Sequence, residues 1–303
     1  MKIVRFDDAS GSGKIGVLTD AGVVDVDYLC AGLDHYRPQR VMEDLIENFD
    51  TLRPQFENAV STNAVIELSE VQLRPPLPRP SKILCCIGNY WEHAQREPRN
   101  LNMFLKSPEA IIGAGDTVTL PAWTNPYTFQ HEAELAIVFK GPSKDVSQDN
   151  YLSAIFGYTM MVDVSAREKA RSTWRQGSWM GKSFDTFAPM GPCIVTADEL
   201  TEPNEVHIQF WNDGQLRHDY NTNDMEHRVP ELIEFATGIM TMNSGDVLSC
   251  GTNHEGLGNL QDGETCVIES KSIGNFSFTV SDPLKRKWER GVYQGENSTY
   301  RGT

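Results

Sequence analysis

Positive charge is scarce in this chain. Its 303 residues carry 27 Lys and Arg against 42 Asp and Glu, a formal net charge of −15. Nucleic-acid binding needs clustered cations to displace counterions, so that class is excluded, and an anionic membrane surface fits no better. Long apolar runs are missing too; none approaches the length that spans a bilayer. The opening MKIVRFDD lacks an apolar core followed by a small-residue cleavage site, so no secretory signal and a cytoplasmic location are expected. No CxxC pair occurs among the six cysteines, at 30, 85, 86, 193, 250 and 266. Adjacent cysteines rarely bridge, so Cys85 and Cys86 within ILCCIG read as reduced, buried thiols.

Apolar residues make up 39% and charged residues 23%, the balance of a folded protein long enough to bury a sizeable core. Residues 1–73 read as a small α+β domain. KIVRF and KIGVLTDAGVVDVD are short strands, and Val41, Leu45, Ile46 and Phe49 recur at helical spacing. Pro54 forbids one continuous helix, so a second is placed from Asp50 or Thr51, burying Phe56 and Val60. RPPLPRP at 74–80 reads as a stiff linker and marks a domain boundary. Strands dominate 81–282. EVHIQFW and QLRHDY flank Asp213-Gly214 as a hairpin, and GETCVIES and NFSFTV form another around Ile273-Gly274. Helices are placed only at Trp91–Glu97 and from Pro230. The class is mainly β, α+β, and not a doubly wound parallel sheet. The stretch 283–303 is polar and aperiodic, a tail that drapes or frays.

Chemistry concentrates in four segments. In FQHEAELAIVFKG, read as one strand, Ala133, Leu135, Ile137 and Phe139 share one face and Glu132 and Glu134 the other, roughly 7 Å apart at Cα. A solvated outer face is the bland explanation. Against it, Ala136 and Val138 make the glutamate face apolar further along, and Asp163 closes the next apolar strand, IFGYTMMVD. Three carboxylates without Cys or His ligands suit a hard cation, Mg²⁺ first, with Mn²⁺ or Ca²⁺ open. His131 falls on the Ala133 face and reads as structural.

In GNYWEHAQREP, His93 and Glu97 lie one helical turn apart, so a carboxylate can orient an imidazole to take a proton from water. In WMGKSFDTF, Lys182 either pairs with Asp185 or stabilises an anion. The segment SGDVLSCGTNHEGLG brings Thr252, with a hydroxyl, and His254, a second candidate acid/base; it lacks the Lys-Ser/Thr ending of a phosphate loop.

Together, GNYxxH, FxKS with GxGD, ExELA, GYTxxxDVSAR, GKSFDTFxPxGP, NDG and the glycine-rich 244–258 segment occur in this order between about Ser81 and Val280. This linked set resembles the fumarylacetoacetate hydrolase family. The resemblance implies rolled, layered mixed β-sheets, a homodimer, and Mg²⁺, Mn²⁺ or Ca²⁺ on Glu132, Glu134 and Asp163. It also implies a His–Glu dyad on a lid at His93, an active-site lysine at Lys182 and a substrate-contacting threonine at Thr252; Tyr90, Arg167, Asn253 and His254 are expected as further substrate contacts of this chain. The glutamate usual in such members falls three residues after the histidine, where this chain has Arg96; Glu97 or Glu92 then partners His93, or the histidine acts alone. Asn253-His254-Glu255 follows Thr252 where many members have proline.

The expected reaction is hydrolysis of a carbon–carbon bond in a small anionic β-diketo acid, an acylpyruvate or a fumarylacetoacetate-like or sugar-derived diketo acid. Water activated by His93 attacks, and the leaving enolate is held by metal and Lys182. Isomerases, tautomerases and decarboxylases of oxo-acids use the same site, and a non-catalytic metal-binding scaffold is the remaining alternative.

Overall fold

The computed structural model describes residues 1–34, 37–94, 96–122, 128–167 and 179–288. At its centre lies the strand Ala133–Phe139, every residue of it buried. It pairs antiparallel with Ile155–Val162 on one side and with Val247–Ser249 on the other. Both neighbours are also buried throughout. A strand covered on both faces has no use for solvated side chains, which is why these segments are almost unbroken runs of Ala, Val, Ile, Leu, Met and Phe. Beyond Val247–Ser249, Ile83–Cys86 adds in parallel and Met103–Lys106 closes that edge. On the other side Ala188–Thr196 follows, and then the N-terminal strands Lys2–Asp8, Gly11–Thr19 and Gly22–Asp25. The sheet is mixed and mainly antiparallel, as the fold expectation requires.

The N-terminal segment is built onto the same sheet, because one edge of Lys2–Asp8 pairs first with Ala188–Thr196 and then with Gln72–Arg74, while Gly11–Thr19 takes the other. Arg74 therefore ends a strand, and Leu77, in the middle of the proline-rich stretch, is fully buried. The two helices of this segment are Pro38–Glu47 and Phe49–Thr62. The second begins slightly earlier than expected and runs through Pro54; it buries Phe49, Leu52, Phe56 and Ala59, while Val60 is half-buried. Phe49 meets Phe156 of the central sheet edge-on, centroids 5.0 Å apart. That packing offsets the one backbone hydrogen bond a mid-helix proline removes.

A second sheet orders Gln215–Asn221, His207–Asn212, Thr265–Ser270, Gly274–Ser281 and Thr117–Thr119. Asp213 and Gly214 both have positive φ, 51° and 75°, the primed turn that the Asp-Gly pair calls for. The helix entered through Pro230 spans Val229–Ile239. The expected helix at Trp91–Glu97 does not form. Glu92 and His93 take φ of 52° and 58°, a left-handed turn that no right-handed helix contains. Among the described residues of the tail, Trp288 packs edge-on against Phe129 at 5.8 Å; residues 289–303 lie outside the described set. All six cysteines are free and buried, and burial pushes the Cys85 and Cys86 thiols well up, away from nucleophilic use.

Candidate active site

Register assembles the site. Ala133 pairs with Val162, and one step outward the Asp163 N–H donates to the Glu132 carbonyl at 2.7 Å. That last pair of the ladder carries two of the carboxylates. Glu134, two residues along, completes the trio, and one ligand oxygen from each of Glu132, Glu134 and Asp163 lies within 4.8 Å of the others. The single long strand read over FQHEAELAIVFKG is in fact two, Thr128–Gln130 and Ala133–Phe139. Thr128–Gln130 leaves the main sheet to pair with Ser165–Arg167, so the chain bends at His131-Glu132 and the carboxylate of Glu132 swings toward Asp163.

All three acids are buried, so their charge must be met locally. Lys182 Nζ bridges Glu132 Oε2 at 2.8 Å and Asp163 Oδ2 at 2.6 Å, rather than pairing with Asp185. Arg167 and Ser165 donate to Glu132 Oε1 at 2.5 and 2.6 Å. Lys106, its side chain fully buried, donates to Asp163 Oδ1 at 2.7 Å and to the Lys182 carbonyl. Glu134 accepts from the Ser249 hydroxyl and, at 2.9 Å, from the Gly251 N–H. Burial alone raises Glu132, but the Lys182 and Arg167 cations outweigh it and hold its carboxyl well below the usual range. Glu134 goes the other way: burial, then the charges of Asp163 and Glu132, push it well up. Lys182 is raised, since Asp163 and Glu132 overcome the penalty of burying its ammonium. Repulsion among three close carboxylates is what a divalent ion relieves, and an all-oxygen donor set suits a hard one.

A cavity of about 230 Å³ opens onto this cluster, with Glu132, Ser165, Arg167, Lys182, Arg99 and His254 in its wall. The remaining expected residues fall differently. His93 is 88% exposed, meets Glu255 at 3.5 Å and is not in the cavity wall. Glu97 is exposed and contributes its backbone carbonyl to Arg96; without the helix, nothing brings it to His93. The expected His93–Glu97 pair does not form, and Glu92, the other partner considered for His93, meets a different histidine. Glu92 Oε1 accepts from His254 Nδ1 at 2.5 Å and from the His254 N–H at 2.8 Å. Tyr90 is fully buried against Tyr220, centroids 5.0 Å apart, behind the wall and not in it. Thr252 and Asn253 are buried as well; Asn253 donates to Asp224 at 3.2 Å and supports the loop. His131 is buried, 2.9 Å from His218 and stacked near Phe210, away from the acids as expected.

Reading the residues alone overlooked Lys106, Arg99 and Glu226. Lys106 carried a signal, a lysine ending the otherwise apolar strand MFLK. Glu226 carried none. It gathers Arg96 and Arg99, accepting from the Arg99 N–H at 2.6 Å and Nε at 2.7 Å, and so fixes Arg99 at the cavity.

The family model described as fumarylacetoacetate (FAA) hydrolase C-terminal matches residues 82–281. A maleylpyruvate hydrolase of Aquipseudomonas alcaligenes is 29% identical over 297 residues, covering 92% of this chain and 99% of the relative. The mitochondrial oxaloacetate tautomerase fahd2 of Xenopus laevis is 31% identical over 83% of this chain and 79% of its own. Among solved structures, the maleylpyruvate hydrolase from a Sphingobium species, in complex with manganese(II) and pyruvate, superposes with a TM-score of 0.82 at 32% identity. It covers 93% of this chain and 99% of that one.

Proposed function

Because the chain belongs to the fumarylacetoacetate hydrolase family, we propose that it is a divalent-metal-dependent hydrolase of an acylpyruvate, cleaving the carbon–carbon bond between the acyl carbonyl and the pyruvyl methylene. One observation carries the reading: three buried carboxylates converge within 4.8 Å beside Lys182, and Glu132 and Lys182 of this cluster reach the cavity wall.

Glu132, Glu134 and Asp163 would hold the ion, Mg²⁺ by choice of hard oxygen donors, with Mn²⁺ and Ca²⁺ as alternatives. When bound, a divalent cation supplies Lewis-acid polarisation of an oxo-acid's carboxylate and keto oxygens. The chain's own cations do the rest. Lys182 and Arg167 neutralise the acids and present donors to an anionic substrate inside a protein of net charge −15. Lys182 then stands where negative charge develops as the pyruvyl fragment leaves as its enolate. Phe104, 5.4 Å from Lys182 Nζ, keeps that ammonium partly dry, which strengthens its pull.

The likeness to an oxaloacetate tautomerase favours a second reading, proton transfer within an oxo-acid at the same site, and decarboxylation belongs with it. Product analysis separates them. Purified protein with Mg²⁺ or Mn²⁺ is given acylpyruvates and oxaloacetate, and enol absorbance is followed. Hydrolysis yields two acids per substrate, decarboxylation releases CO₂, and tautomerisation does neither. A protein that turns over none of these substrates refutes the enzymatic reading and leaves a metal-binding scaffold. The homodimer stays part of the proposal and is tested by mass in solution.

A further inference from the structure

We infer that His254, oriented by Glu92, carries the proton in this site, an assignment that rests on the function proposed above. Three features support it.

The first is place. His254 lies in the wall of the cavity that holds Glu132 and Lys182, whereas His93 is turned out to solvent. The second is tautomer. An ionised carboxylate only accepts hydrogen bonds, so the Nδ1 that sits 2.5 Å from Glu92 Oε1 must carry the hydrogen, which leaves the Nε2 lone pair of the neutral ring to receive a proton. The Glu92 carboxyl is held down to serve as that acceptor, its burial outweighed by the hydrogen bonds it accepts from the His254 ring and N–H. The third is rigidity on both sides. Asp224 Oδ2 accepts from the Glu92 N–H and from Asn253 Nδ2, each at 3.2 Å, so a single carboxylate anchors both halves of the pair. Arg217 grips the far side of the loop through the carbonyls of Gly256 and Leu257, at 2.9 and 2.8 Å. The left-handed turn at Glu92 and His93 brings both side chains to the same loop, Glu92 to His254 and His93 to Glu255, where the His93 ring stays exposed.

Nε2 takes one proton from water, and the water oxygen bonds to the acyl carbonyl carbon. The bond from that carbon to the pyruvyl methylene then breaks, its electron pair passing to the leaving enolate. The imidazolium returns its proton to the enolate carbon. The products are a carboxylic acid and pyruvate, and the ring is again neutral. For a tautomerase the same nitrogen takes a proton from carbon and the enolate oxygen is protonated in turn. Glu92 is a positioning residue in either case.

The test uses the full-length, Mn²⁺-loaded protein. His254→Ala should lower kcat at least about 100-fold, the scale of lost acid–base catalysis, while KM and Mn²⁺ affinity stay within about threefold. Added imidazole should restore about tenfold or more of the loss, which no structural role would allow. Glu92→Gln should lower kcat with little change in KM, and Glu92→Asp should recover part of it. If His254→Ala fails to fold, His254→Gln keeps a donor toward Glu92 and must show the same loss. A wild type active on an oxo-acid whose folded His254 variants keep more than about a third of kcat overturns this assignment alone, as does turnover abolished by His93→Ala instead. A wild type inert toward acylpyruvates and oxaloacetate overturns both this assignment and the function it rests on.

Discussion

Buried charge dominates at the scale of single residues. Lys182 serves two acids at once, and its removal strips Glu132 and Asp163 of a shared cation as well as taking a donor from the developing enolate. Lys182→Ala should therefore lower kcat more than tenfold, and up to the roughly 3–4 kcal/mol typical of a lost donor to a developing anion. Steady-state kinetics at saturating metal measure this, and a near-normal kcat removes the role. Glu226 makes a separate prediction about acid stability. Burial raises its carboxyl, but hydrogen bonds from Arg96 and Arg99 win and lower it to about 2. A carboxyl depressed on folding stabilises the native state above its unfolded value, about 4.3. That contribution is lost as pH falls from there toward 2. Glu226→Gln should consequently flatten the acid limb of a stability–pH curve across that window and leave the neutral plateau lower. An unchanged acid limb, followed by urea unfolding, would count against the Arg96–Glu226–Arg99 cluster.

At the scale of elements, loops decide what strands only offer. Gly256 has φ of 84°, and a Cβ there would fall 1.6 Å from the Arg217 carbonyl oxygen, so no alanine fits without moving the loop. Gly256→Ala should displace 252–258, separate His254 from Glu92 and cut kcat, with the acidic trio and its metal affinity unaffected. Equal kcat in that variant, by the same assay, would show that the loop does not position the histidine. The misread helix at Trp91–Glu97 belongs to this scale. Its pattern was compatible with a helix, but local propensity is weak, and Asp224 captures the N–H groups of Trp91 and Glu92 through its carbonyl and its carboxylate. The broken strand at His131-Glu132 has the same origin, since pairing of Thr128–Gln130 with Ser165–Arg167 is a long-range choice that alternation does not encode. The Asp213-Gly214 hairpin and the Pro230 helix entry were legible because both signals are local stereochemistry.

For the whole molecule, metal and fold are linked. Lys182, Lys106 and Arg167 already meet two of the three buried carboxylates, and an ion that binds only the folded chain adds to this, stabilising it by about 2.7 kcal/mol at a hundredfold excess over its Kd. Chelator-treated protein should lose activity, unfold at a lower temperature, and recover both with Mg²⁺ or Mn²⁺. Full activity in EDTA, or a melting temperature indifferent to metal, would remove the ion from the account. Among the described residues no helix is long and apolar enough to cross a membrane. The sequence alone determined the β-rich class, the buried central strands and the three acids of the metal cluster. Each follows from alternation, apolar run length or residue chemistry, properties that act within a few neighbouring positions. Tertiary structure alone decided which histidine meets which glutamate, because Glu92 and His254 are 162 residues apart and meet only through the packing of two loops. It also decided that Lys106 and Lys182 enclose Asp163, since a buried ammonium is tolerated only where the folded chain brings it a carboxylate.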